Sequence, residues 1–206
     1  MELRTAIEKR ASIRNFTSEK VELPVLKELV DMAHLAPSIN NSQTTEYVII
    51  TKEDLLKEMG QIVHKKVEEM FGASDDPTNV VSKVEKFSTF FEDAPALIVV
   101  KNKPYTAIID NLADSNYSHN DIDSIRNHPN IQSVGAAIQN ILLGAVEKNL
   151  GACWLTAPLL AKNELEEKLK VEKPYSIAAM IAIGHPKNDV PQREKKTIDE
   201  ILTVIE

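Results

Sequence analysis

Arg10, Ser12 and Arg14 stand at every second position of the stretch RASIRNF, where an amphipathic opening segment gives out. In an extended backbone successive side chains alternate sides, so these three are expected to point one way while Ala11 and Ile13 face the body. Guanidinium forks match phosphate oxygens in pairs, and a hydroxyl adds a neutral donor, so the triplet can cradle a phosphate. The competing reading is a pair of solvated arginines matched with carboxylates such as Glu8 or Glu19.

A second polar cluster, APSINNSQ at 36–43, follows a helical pattern. Its Pro, Ser and Asn residues suit a loop that hydrogen-bonds a heterocycle or a sugar chain; they equally suit a helix-ending turn. The single cysteine, Cys153, rules out an intrachain disulfide and sits in the apolar stretch GACWLTA, where a small buried thiol fits better than a nucleophile. The five histidines, His34, His64, His119, His128 and His185, lack the paired spacing and cysteine partners of a zinc site, so no metal is expected.

The elements that must position these groups alternate between helical and strand patterns. Helices are expected over 2–10, over the segment LPVLKELVDMAHLA, over 53–72 and over about 80–91. Strands are expected at EYVIIT, ALIVV, ACWLT and IAAMIAIG, which are rich in β-branched and other apolar residues. Between the first two helices, ASIRNFTSEK reads as an extended connector. The segment IQSVGAAIQNILLGAVEKNLGA is apolar over much of its circumference, with Gly135, Ala136, Ala137 and Gly144 allowing close approach. That suits a core helix or a helix at a subunit contact, and Gly151 is its expected left-handed stop. Residues 104–130, crowded with Asn, Asp and Ser, read as a loop or partly helical cover where specificity would reside.

Length and composition bound the rest. A chain of 206 residues with 43% hydrophobic and 27% charged residues suits one soluble globular domain spanning 1–206. A formal charge of −7 argues against a nucleic-acid or anionic-membrane partner and requires any anion site to be local. Met1 leads straight into charged, helix-patterned sequence, and no apolar run approaches the roughly 20 residues of a membrane span, so a cytoplasmic location is expected.

The spacing of RASIRNF, LAPSINNSQ, GAAIQNILLGAVEKNLGACWLTAP, IAIGHP and the basic QREKKTIDEIL resembles that of the FMN-dependent nitroreductase family, in order and over nearly the whole chain. The resemblance implies an α+β fold, with a central, mostly antiparallel sheet flanked by helices, in an intertwined homodimer whose FMN sites lie at the interface. Arg10, Ser12 and Arg14 match phosphate and ribityl contacts. Pro37, Ser38 and Asn41 match a loop that reaches the partner's flavin, and Leu155, Thr156 and Ala157 match the segment beside the isoalloxazine. Lys195, with Arg193, matches a terminal phosphate-binding base. Thr44 and Thr45 depart from the Pro and Trp usual after this loop. The implied activity transfers hydride from NADH or NADPH through FMN to nitroaromatics, quinones or related small acceptors by a ping-pong mechanism, with no side chain named as catalytic acid or base. A same-fold flavoenzyme with other chemistry, such as reductive dehalogenation or dehydrogenation, and a non-catalytic flavin-binding or regulatory dimer stay open.

Overall fold

A computed structural model describes residues 1–73, 76, 78–106, 108–111 and 117–206, with the backbone alone at 108 and 109. Residues 107 and 112–116 of the expected polar cover therefore lie outside the described residues. The elements run α1 (Leu3–Lys9), α2 (Leu23–His34), β1 (Thr45–Ile50), α3 (Glu53–Phe71), α4 (Val80–Thr89), β2 (Ala96–Asn102), α5 (His119–Ile125), α6 (Pro129–Glu147), β3 (Gly151–Leu155), α7 (Lys162–Lys168) and β4 (Ser176–Gly184). Among the described residues the strands form one sheet of order β1-β2-β4-β3, and each neighbouring pair is antiparallel. The fold is α+β, as expected.

The central strands are apolar nearly throughout because helices cover both faces of the sheet. Alternation sends Ala96, Ile98 and Val100 of β2, with Ala179, Ile181 and Ile183 of β4, into the core under α2 and α6. Leu97, Val99, Met180 and Ala182 enter the opposite core with Leu56, Met59 and Val63 of α3. A bulge explains the one break in this alternation. Val100 pairs with Ala179 and Lys101 with Ile177, so Ala178 is the extra residue and Ile177 joins the second core beside Met180. Each fully buried Leu, Ile or Met here contributes about 1.5–3 kcal/mol from apolar transfer.

Close helix packing rests on a missing side chain. A Cβ on Gly144 of α6 would sit 2.6 Å from Sδ of Met32 and 2.9 Å from Cδ2 of Leu29, both on α2, so any larger residue must displace these side chains from the seam between the two helices. Asn140 Nδ2 also donates to the Met32 carbonyl at 2.9 Å, holding the C-terminal end of α2 on α6.

The end of α6 differs from the sequence expectation. The left-handed residue is Asn149 (φ 56°); Leu150 N–H donates to the Ala145 carbonyl at 2.7 Å and Asn149 N–H to Val146 at 3.0 Å, which closes the helix. Asn tolerates this conformation and comes two residues before the glycine, leaving Gly151 to open β3 without a positive φ. Helix α7 has no counterpart among the sequence expectations: its seven residues bury only Leu165 and Glu166, too little for a periodic signal. In the polar cover, α5 begins with a reciprocal cap between Ser118 and Asp121, which explains a helix in so polar a stretch.

Candidate functional site

The opening stretch crosses the ends of β3 and β4. Ile13 N–H donates to the Ala152 carbonyl at 3.1 Å, Thr17 N–H to His185 at 2.9 Å, and Lys187 N–H to Asn15 at 3.0 Å. These bonds hold the chain extended, so Ile13 is buried while Ser12 and Arg14 are exposed; Arg10 and Ala11 are half-buried. Arg14 Nη1 donates to the Ser12 carbonyl at 3.4 Å, and its guanidinium carbon lies 5.5 Å from the ring centroid of Phe87 on α4. Beneath them lies Cys153. Burial pushes its thiol pKa up, while the positive charge of Arg14, a hydrogen bond with Ser12 and the charge of Arg10 oppose that rise. The triplet therefore lies near enough to this buried thiol to act on it electrostatically.

The carboxylates that could neutralise this cluster are engaged elsewhere. Glu8 pairs with Arg4 at 3.8 Å, and Glu19 with His185 at 3.5 Å. Among the described residues Arg10, Arg14, Arg193 and Lys195 have no carboxylate partner, whereas Lys66, Lys101 and Lys148 each pair with a glutamate. Arg10 and Arg14 thus carry positive charge without a carboxylate partner among the described residues on one short extended stretch. The reading of Arg10 and Arg14 as surface partners of Glu8 and Glu19 is thereby removed.

The basic C-terminal stretch reaches this site through Gln192. Its side-chain amide donates to the carbonyls of Ile7 at 2.6 Å and Arg10 at 2.8 Å, so the backbone carrying Arg193 and Lys195 departs from beside Arg10. Arg193 and Lys195 themselves are exposed. Sequence reasoning missed Gln192, since a contact between residues 182 apart leaves no periodic trace.

Leu155 is buried at the end of β3, and Thr156 precedes a 3₁₀ turn at Ala157–Ala161. The first N–H groups of such a turn have no partner inside it, and Pro158 has none to offer, so Thr156 and Ala157 supply the donors at this edge.

Pro37, Ser38 and Asn41 belong to a loop anchored elsewhere. Ser38 Oγ accepts from Gln43 N–H at 3.1 Å, and Ile39 N–H donates to Ser133 Oγ on α6 at 3.0 Å. Asn40, Asn41 and Gln43 are left-handed, which the short amide side chains of the two asparagines tolerate well. Behind the loop Thr44 is 4% exposed, and neither its hydroxyl nor that of Ser42 has a hydrogen-bond partner among the described residues. Among the described residues no hydrogen bond joins this loop to Arg10, Ser12, Arg14 or 155–157. Within one chain the two polar clusters are thus not linked to each other by hydrogen bonds among the described residues.

A model described as the nitroreductase family matches residues 7–185. Among solved structures, the BluB-like flavoprotein from Clostridium difficile 630 is similar at a TM-score of 0.86 and 32% identity, covering 100% of both chains. A nitroreductase with bound FMN from Desulfitobacterium hafniense DCB-2 matches at a TM-score of 0.75 and 20% identity, again over 100% of both chains. YfhC of Bacillus subtilis (strain 168), provisionally named an NAD(P)H nitroreductase, is 23% identical over 195 residues, 95% of this chain and 89% of its own length.

Proposed function

The chain belongs to the nitroreductase family, and from that premise we propose an FMN-dependent oxidoreductase that carries electrons from NADH or NADPH to nitroaromatic, quinone or related acceptors. The observation that carries this reading is the pair Arg10 and Arg14, without a carboxylate partner among the described residues, on a stretch that Gln192 ties to the segment bearing Arg193 and Lys195. Such a cluster fits the phosphate of a mononucleotide. Arg10, Ser12 and Arg14 would hold the phosphate and ribityl chain, with Arg193 and Lys195 adding charge. The donors at Thr156 and Ala157 would face the ring beside Leu155.

When bound, FMN supplies the two-electron chemistry. The side chains bind, orient and stabilise negative charge electrostatically, and none is required as acid or base because solvent can supply the proton. One pocket serving donor and acceptor in turn gives ping-pong kinetics. The separate loop bearing Pro37, Ser38 and Asn41 supports a homodimer in which it completes the partner's site. Apolar side chains left exposed on one chain, among them Leu3, Leu35, Ile201, Leu202 and Ile205, support the same assembly. No helix among the described residues is long and apolar enough to cross a membrane, and a cytoplasmic site of action is part of the proposal.

The test is spectroscopic. Purified protein is expected to carry flavin absorbance that NADH or NADPH bleaches anaerobically and a nitro compound or quinone restores. Bound flavin that neither nicotinamide reduces would overturn the enzymatic reading in favour of a flavin-binding dimer. A turnover screen that includes halogenated phenols separates nitro and quinone reduction from reductive dehalogenation.

A further inference from the structure

Beside Thr156 and Ala157 lies a cavity of about 700 Å³, framed by the end of α3, by α4 and by the 3₁₀ turn that follows β3. Its walls are apolar and partly aromatic: Phe71, Val84, Phe87, Leu159 and Leu160. Phe71 and Phe87 are each 48% exposed, a large aromatic surface left to solvent within a concavity. Its volume and apolar lining are within the range of small-molecule sites, and it is wide open to solvent on one side.

Its polar groups are few and unequal. The Ser88 hydroxyl donates to the Val84 carbonyl at 2.7 Å, so its proton is already used. Lys83 is the charged residue of the lining, and it has no ion pair among the described residues. The Arg14 guanidinium over Phe87 lies at the cavity's edge, and the reading above commits its charge to the FMN phosphate, which leaves Lys83 as the cation for a second ligand.

We propose that this cavity binds a planar aromatic acceptor carrying an anionic substituent, with the ring against Phe71, Phe87 and Leu160 and the anion on the Lys83 ammonium. The proposal rests on the reading above that flavin lies along Thr156 and Ala157. A neutral acceptor would fill the apolar walls and leave Lys83 solvated. An aromatic carboxylate gains a charge-assisted hydrogen bond as well, and because Lys83 is exposed it forms that bond with little loss of hydration.

The test compares two probes of one shape, 4-nitrobenzoate and 4-nitrobenzamide, by calorimetric titration of the purified protein in excess FMN. The benzoate is expected to bind about two- to fivefold more tightly. Lys83→Met should bring the ratio of the two affinities close to one, and Lys83→Arg should keep the benzoate preference. Equal binding of the two probes by the unaltered protein, or a preference that survives in Lys83→Met, overturns the proposal. Loss of FMN from Lys83→Met also overturns it, by making Lys83 a flavin ligand. Binding is read without turnover, so a flavin that no nicotinamide reduces defeats the oxidoreductase reading alone, while a reducible flavin with no probe preference defeats this one alone.

Discussion

Ile13 stands directly against Gly151: a methyl group on Gly151 would sit 2.7 Å from both Cβ and Cγ2 of Ile13. Ile13 is also the residue whose N–H ties the Arg10–Arg14 stretch to Ala152. Gly151→Ala is therefore expected to displace that stretch through steric crowding alone, since the backbone there has no positive φ. Overpacking of this kind costs about 1–3 kcal/mol. Thermal unfolding should show a lowered midpoint, with FMN affinity falling in parallel; an unaltered midpoint would remove the contact's structural role.

Arg14→Ala is expected to weaken FMN by about 1.5–3 kcal/mol, the contribution of a hydrogen bond to a charged group, while the fold persists. Riboflavin, which has no phosphate, should lose much less. Fluorescence titration of both flavins against both proteins reads the difference. Equal losses for the two would place Arg14 at the ring instead of the phosphate.

The sheet and the main helices were legible because their signals are local. The apolar runs at 96–100 and 177–184 lie in strands buried on both faces, and the small residues of α6 do meet α2 at Gly144. The exposure of Ser12 and Arg14 about a buried Ile13 was legible for a similar reason, since alternation at 12–14 needs only an extended backbone, which the bonds to Ala152 and His185 provide. Less legible were features that depend on residues distant in the chain. Gln192 on the Arg10 carbonyl, Phe87 under Arg14 and Ser133 beneath the 36–43 loop arise from packing that no period encodes. Gly151 differs from its expected role because a glycine after a helix resembles a stop, whereas the close approach of Ile13 is what requires it.

His64 on α3 links α4 and the turn that follows it: Nδ1 lies 2.7 Å from Glu85 and Nε2 3.4 Å from Glu92. Burial alone would lower its pKa, but the hydrogen bonds and charges of Glu85 and Glu92 outweigh burial and raise it. A raised folded value means the stabilisation is fully present below the unfolded value, about 6.5, and is lost as pH rises through the folded one. Denaturant unfolding of the protein and of His64→Gln should differ most below the unfolded value of about 6.5 and converge as pH rises through the raised folded value. A gap that is constant over this range would assign His64 a packing role only.

Glu166 on α7 is 7% exposed, and its Oε1 accepts the Ile177 N–H of β4 at 2.8 Å while Oε2 accepts from Lys173 at 3.2 Å. Burial opposes its ionisation, yet the Ile177 N–H and Lys173 hold its pKa below the ordinary carboxylate value. The two bonds differ in worth. Lys173 is mostly exposed, so that ion pair contributes under about 1 kcal/mol. The Ile177 N–H is buried, and orphaning it costs about 1–3 kcal/mol. Glu166→Ala should therefore destabilise by about 1–3 kcal/mol, and Glu166→Gln, which keeps an acceptor oxygen, by under about 1 kcal/mol. Because the folded value is depressed, the carboxylate's stabilisation is present above the unfolded pKa and is lost as pH falls through the folded one. The protein should thus lose stability more steeply than Glu166→Gln as pH falls below about 4.3. Denaturant midpoints at neutral and acidic pH read both effects; equal losses for Ala and Gln would mean that the carboxylate's charge, and not its hold on Ile177, secures α7 to β4.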